Sequence, residues 1–221
     1  MKTSNIIIIA FATFILAGML ILFVDAKQFQ KKQKAAITFK EFALPAFSVV
    51  VAEKGSDVHL DQSDSTYIKV EYLKDKPVTK KMYKVSNDTL YVYGGLRTFV
   101  KCSKLKAIRA NKPFWMGVSQ FKLDSLHIKI CSGSLNFYAN DSIKTEIKKL
   151  VINASDSANI NTSNIKVENF VLNAKDKTIC EMYGKFKHVY AKLSNNSTLF
   201  FNSNPQSIKF ERDTTSGFRI Y

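Results

Sequence analysis

Two aspartates and one basic, aromatic stretch are the residues whose types and spacing could do chemistry. Asp156 lies in "KLVINASDSAN" (149–159) and Asp176 in "NFVLNAKDKTI" (169–179), so two carboxylates recur after twenty residues in almost the same words. Brought together, they would suit oxygen ligation of Ca²⁺, or a general acid and base for cleaving polysaccharide. The same residue types also end strands by bonding to turn backbone, the plainer use of Asp at such a place. The second stretch, "KCSKLKAIRANKPFWMG" (101–117), sets Lys101, Lys104, Lys106, Arg109 and Lys112 beside Trp115, the only tryptophan. Cations next to an aromatic suit an anionic glycan or a lipid headgroup. A solvated edge is the competing use, because charge runs usually face water.

Other chemistries lack their residues. His59, His127 and His188 are scattered, and no HxH, HExxH, GxSxG or P-loop pattern occurs, so metal hydrolysis, the serine-hydrolase elbow and nucleotide binding have no signature. Cys102, Cys131 and Cys180 form no CxxC, and their odd number leaves at least one thiol free. No cofactor or metal is expected. Lys and Arg number 33 against 18 Asp and Glu, a formal charge of +15, so polyanions are attracted whatever the specific partner. Membrane, anionic glycan or headgroups, and a protein partner are all compatible with this charge, whereas nucleic acid is not expected.

Those residues must be positioned by repeats. Five segments superpose: "LHIKICSGS" from Leu126, "LVINASDSA" from Leu150, "FVLNAKDKT" from Phe170, "VYAKLSNNS" from Val189 and "IKFERDTTS" from Ile208, at spacings of 24, 20, 19 and 19 residues. Leu126, Leu150, Phe170, Val189 and Ile208 form one apolar column; Ile128, Ile152, Leu172, Ala191 and Phe210 form another. Between them Lys129, Asn153, Asn173, Lys192 and Glu211 are polar, as a strand with one wet face requires. A second strand per repeat is implied by Ile160, Cys180, Leu199 and Phe218, followed by Thr162, Met182, Phe201 and Ile220. A unit this short cannot bury its apolar side alone, whereas stacked units share one core, so the spacing predicts an all-β parallel solenoid. An antiparallel sandwich is the alternative.

The chain opens differently. "IIIIAFATFILAGMLILFV", Ile6–Val24, carries no charge for nineteen residues, long enough to cross a bilayer as a helix. Residues 1–26 are therefore expected to be a signal-anchor or transmembrane helix, with cleavage after Ala26 as the other outcome. Residues 27–40, "KQFQKKQKAAITFK", are expected to be a basic juxtamembrane linker, and 41–221 the solenoid. Lys27, Lys31, Lys32 and Lys34 after the span favour a cytoplasmic body by positive-inside counting. The Asn- and Ser-rich body without catalytic motifs favours an extracytoplasmic one, which is the expectation adopted.

"FSVVVAEKGSDVHLD", then "YIKVEYL", "SNDTLYVY" and the Leu/Ile-rich repeats resemble, across most of residues 42–221, the auto-transporter adhesin, head GIN domain family of bacterial envelope proteins. The chain departs from that pattern in its eight glycines, where relatives carry Gly-rich turns. The resemblance implies a right-handed parallel β-helix, exported or surface-anchored and adhesive, and supplies no active-site residues. A non-enzymatic, membrane-anchored binding or adhesion protein is thus expected. A β-helix lyase or hydrolase, and a cytoplasm-facing signalling partner, are the alternatives.

Overall fold

The stretch Phe11–Phe29 lies in a helix, is unburied, and is long and apolar enough to cross a membrane. In the computed structural model, which describes residues 3–74, 82–94, 97–139 and 144–221, helix α1 covers Thr3–Ala36. For 3–10, 30–36 and Leu73 only the backbone is described, so the side chains of Ile6–Ala10 and of Lys31, Lys32 and Lys34 lie outside the described residues. The segment expected as a linker continues the helix to Ala36, in keeping with the helix-forming Lys, Gln and Ala of "KQFQKKQKAA".

Seventeen strands follow among the described residues. They begin with β1 (Ile37–Ala43), β2 (Val49–Ala52), β3 (Asp57–Gln62), β4 (Tyr67–Leu73), β5 (Tyr83–Ser86) and β6 (Thr89–Val92). Next come β7 (Thr98–Cys102), β8 (Ala107–Asn111), β9 (Trp115–Ser119), β10 (Lys122–Cys131), β11 (Ser134–Phe137) and β12 (Thr145–Ser155). The longest are β13 (Asn159–Ala174) and β14 (Ile179–Leu193), before β15 (Thr198–Asn202), β16 (Ser207–Arg212) and β17 (Gly217–Ile220).

The strands stack as a parallel β-solenoid of about six turns, with the expected register. Leu126 pairs with Leu150, Leu150 with Phe170, Phe170 with Val189 and Val189 with Ile208. Ile152 sits on Leu172, and Leu172 on Ala191, all wholly buried. Ile160, Cys180, Leu199 and Phe218 stack likewise on the second face. On the wet side of the first face, the Asn173 amide donates to Asn153 Oδ1 at 2.9 Å, one rung apart.

The long strands bend around corners. In β13 buried and exposed residues alternate except at 163–164 and 168–169, where two exposed residues follow one another and turn the chain onto a new face. Three faces result: I, with 170–174 and its neighbours; II, with 159–162; and III, with 165–167. The change of repeat from twenty residues to nineteen occurs at the corner between faces II and III, where Thr162 pairs with Met182 but Ile165 already pairs with Gly184. The buried Thr162 hydroxyl repairs the shortened corner by accepting from the Tyr183 N–H at 2.9 Å and donating to the Tyr183 carbonyl at 3.1 Å. A side chain at Gly184 would meet the Ile165 carbonyl oxygen at 2.5 Å, so glycine is required there.

The first rungs depart from chain order. Strand β2 lies between β6 and β8, and β3 between β7 and β9, so residues 49–62 are enclosed by segments that come later in the chain. Antiparallel β4 on β7 and β5 on β6 cover the edge above them. At the other end, Ile220 and Tyr221 are exposed.

Shared burial makes an interior rung residue costly to shorten. Leu172→Ala should remove about 2–5 kcal/mol of stability, read as a lower urea midpoint with unchanged denaturant slope; an unchanged midpoint would contradict the continuous core.

Candidate functional site

Face II of the upper rungs carries, on its outer side, a group of residues that a solvated sheet does not need. Register places His59 of β3 between Phe99 of β7 and Gly117 of β9, with Asp57 beside Trp115 and Asp61 between Lys101 and Ser119. Tyr138 follows β11 on the next rung. The rings gather over Gly117: His59 stacks on Phe99 at 4.8 Å between centroids and lies 4.3 Å from Trp115, and Trp115 is 5.8 Å from Tyr138. A Cβ at Gly117 would fall 2.2 Å from two indole carbons and 2.6 Å from Tyr138, so this glycine creates the space in which the rings fold down onto the sheet.

Charged groups rim the rings. His59 Nε2 is 3.3 Å from Asp57 Oδ1 and Nδ1 is 3.4 Å from the Tyr138 hydroxyl. Arg97 Nε lies 3.6 Å from Asp57 Oδ2, Lys101 Nζ lies 3.6 Å from Asp61 Oδ2, and the buried Ser119 hydroxyl donates to Asp61. Burial holds the His59 pKa below its ordinary value, against the opposing pull of Asp57, so the imidazole is neutral at neutral pH. Burial also raises the Tyr138 phenol. Ser119 engages a carboxylate rather than His59, so no nucleophile-to-base relay is assembled. The arrangement is a half-buried aromatic platform with hydrogen-bonding charges at its edge.

Of the six residues expected to act together, only Lys101 and Trp115 enter this group. Lys104 and Lys106 flank buried Leu105 in the connection from β7 to β8, Arg109 is on face I, and Lys112 occupies the corner between faces I and II with φ 54°. His59, Phe99, Gly117 and Tyr138 were not singled out as partners. Alternation in "DVHLD" places His59 on the wet side of its strand, but only the enclosure of β3 by β7 and β9 brings it to Trp115.

Asp156 and Asp176 do stand one rung apart, with Asn195 next, in a notch of about 420 Å³ along the corner. Each is in the left-handed region, at φ 56°, 59° and 54°, which Asp and Asn tolerate. Asp156 Oδ2 accepts from Cys131 Sγ at 2.8 Å and Ser155 Oγ at 3.2 Å; Asp176 Oδ1 accepts from the Asn195 amide at 2.7 Å. The thiol donation, chiefly, holds Asp156 below the usual carboxylate range, the opposite of what a general acid needs. Two positions further on the chain turns inward, where Thr178 donates to the Lys175 carbonyl at 2.6 Å and Ser197 to that of Ser194 at 2.8 Å. This is a turn ladder. Among the described residues, no group of three or more His, Cys, Asp and Glu is placed to hold a metal ion.

Residues 48–199 match the family described as Toastrack DUF4097. Solved structures share the fold: a "putative adhesin" from Parabacteroides merdae (13% identity, 84% of this chain and 96% of that one, TM-score 0.62) and another from Parabacteroides distasonis (12%, 83% and 97%, 0.60). A "putative lipid binding protein" from Parabacteroides distasonis is similar at 12% identity, covering 84% and 96%, with TM-score 0.59. No curated protein matches the chain at a significant level.

The last corner has a pH signature. Asp213 accepts from the Asn195 N–H at 2.6 Å, the leading cause of a pKa lowered to about 2. A depressed carboxylate stabilises above its unfolded pKa and loses that contribution as pH falls through the folded value. Protection of the Asn195 amide, its exchange relative to that of an unstructured amide at the same pH, should therefore fall on acidification from the ordinary value of 3.8 to about 2, and Asp213→Asn should abolish that acid dependence of protection; equal profiles in both proteins would contradict the assignment.

Proposed function

Because the chain belongs to the Toastrack DUF4097 family, we propose that it is a membrane-anchored bacterial envelope protein whose solenoid presents a binding or adhesion surface and does no catalysis. The observation that carries this reading is the ring platform over Gly117. Rings outside the core gain nothing from the stacked interior, and half-exposed apolar area rimmed by charge is the composition of an interaction site. The similarity to structures described as adhesins supports the same reading, as does the commitment of Asp57, Asp61, Asp156 and Asp176 to cations, hydroxyls and turn groups. Kinship with the head GIN domains and right-handed winding belong to this proposal, the latter supported by the usual hand of parallel crossovers.

Trp115 is the sole tryptophan, so its fluorescence reports directly on the platform. Full-length protein in neutral detergent, titrated with soluble polysaccharides and with lipid vesicles, should show an emission change with at least one of them. Trp115→Ala, compared with the parent by calorimetry because it has no tryptophan left to report, should weaken that binding about tenfold or more, with an unchanged far-ultraviolet spectrum. An emission that responds to none of these probes, or an alanine variant that binds like the parent, would overturn the reading.

We place the solenoid outside the cytoplasm, supported by the candidate membrane helix and the adhesin-like neighbours. Cys131 is half-exposed, whereas Cys102 and Cys180 are buried, so the native protein offers one thiol. An impermeant maleimide applied to intact spheroplasts should label Cys131 alone. Labelling that appears only after lysis would put the solenoid on the cytoplasmic side.

A further inference from the structure

Two outer faces of the solenoid differ in how far acids offset their cations. On face III, Lys122, Glu146 and Lys166 succeed one another along the axis, and Asp124, Lys148 and Glu168 run beside them. Over these three rungs the signs alternate in both directions, with Lys148 Nζ 2.7 Å from Asp124 Oδ1 and Lys166 Nζ 4.0 Å from Glu146 Oε1, and on the fourth Lys185 stands on Lys166, which Glu146 already engages from the other side. On face I, Arg109 stands directly on Lys129, followed by Asn153, Asn173 and Lys192. No acid intervenes in that column. Glu211 ends it and is engaged by Lys209 at 3.5 Å, while Glu53, in the neighbouring column, accepts from the Asn111 amide at 3.3 Å. Among the described residues, Arg109, Lys129 and Lys192 have no ion-pair partner. Like charges directly opposed on neighbouring strands are destabilising; Lys166 beneath Lys185 is relieved by Glu146, whereas Arg109 on Lys129 has no acid engaging either, so that contact leaves a positive field on face I.

From Lys129 to Lys192 the column lines a groove of about 260 Å³, whose far side is formed by Ser155, Lys175 and Ser194, and Arg109 stands one rung beyond it. Lys175 is 3.7 Å from Asp176 and still lines it. The amide ladder leaves the Asn153 nitrogen to donate and the Asn173 oxygen to accept, which suits hydroxyl groups. On the other flank, Val151, Val171 and Tyr190 form a half-buried apolar column. One column of cations and amides and one apolar strip thus run in parallel along the axis. From Arg109 to Lys192 there are four steps of about 4.8 Å, roughly 19 Å in all, more than a single headgroup covers.

We propose that this groove binds an extended acidic polysaccharide laid along the solenoid axis. Its carboxylates pair with Arg109, Lys129 and Lys192, its hydroxyls with Asn153 and Asn173, and the apolar faces of its sugar rings with Val151, Val171 and Tyr190. The inference goes beyond the platform on face II, which it does not use.

Full-length protein in neutral detergent is titrated with polygalacturonate, with uncharged dextran and with phosphatidylglycerol vesicles over a range of salt. Polygalacturonate should bind and dextran should not, with affinity falling as salt rises. Arg109→Gln combined with Lys129→Gln should weaken polygalacturonate by about tenfold or more and flatten the salt dependence. The urea midpoint of that double variant should be unchanged or higher, because a repulsive contact is gone. Trp115→Ala should keep polygalacturonate binding, which separates failure of this site from failure of the platform. The proposal is overturned if polygalacturonate binds no better than dextran, if the double variant binds like the parent, or if only the vesicles bind in a manner that depends on Arg109 and Lys129.

Discussion

Everything in this molecule depends on parallel strands stacking in register, so that a side chain on one rung rests on its equivalent on the next. Two or three strands of a rung have too little apolar area to offset the entropy of ordering them. Stacking turns Leu126, Leu150, Phe170 and Val189 into one continuous strip, and it propagates any choice made at one position along the axis. The left-handed corner recurs on three successive rungs, at Asp156 and Ser157, Asp176 and Lys177, and Asn195 and Asn196, so a chain with eight glycines builds these turns from Asp, Asn, Ser and Lys. An outward charge, for the same reason, always has a neighbour about 4.8 Å above and below it.

The back half was legible because it repeats. Ile152 and Leu172 share a column in the sequence and share one in space, and the amide pair Asn153 and Asn173 follows from the same alignment. The front half was not, since no local pattern says that "VVVA" and "DVHLDQ" are seated between strands that come later. That insertion unites His59 with Trp115 and scatters the basic stretch 101–112 over two faces, a loop and a corner. Linear proximity suggested one patch; spatial proximity follows the axis. The segment after the apolar span shows a similar limit, because its lysines read as solvent-facing whether the backbone is a coil or, as found, a helix.

The two outer surfaces differ in what they contribute to stability. The rings over Gly117 recover part of their burial from one another and from the sheet beneath, while their charged rim stays partly neutralised. The column from Arg109 to Lys192 has no such compensation, and its cost is spread over several rungs of a rigid stack. A scaffold with a redundant core can carry an unfavourable outer column that a small isolated sheet could not.

The enclosure of β2 and β3 sets a schedule for the nascent chain. Both edges of each strand wait for partners that leave the ribosome only when residues 89–119 have followed. Strands β2 and β3, among the first to be made, consequently stay open until β9 has emerged, and a polypeptide arrested before that point would hold an open pair of strands within reach of a chaperone. Synthesis and folding are thereby ordered in time by topology alone.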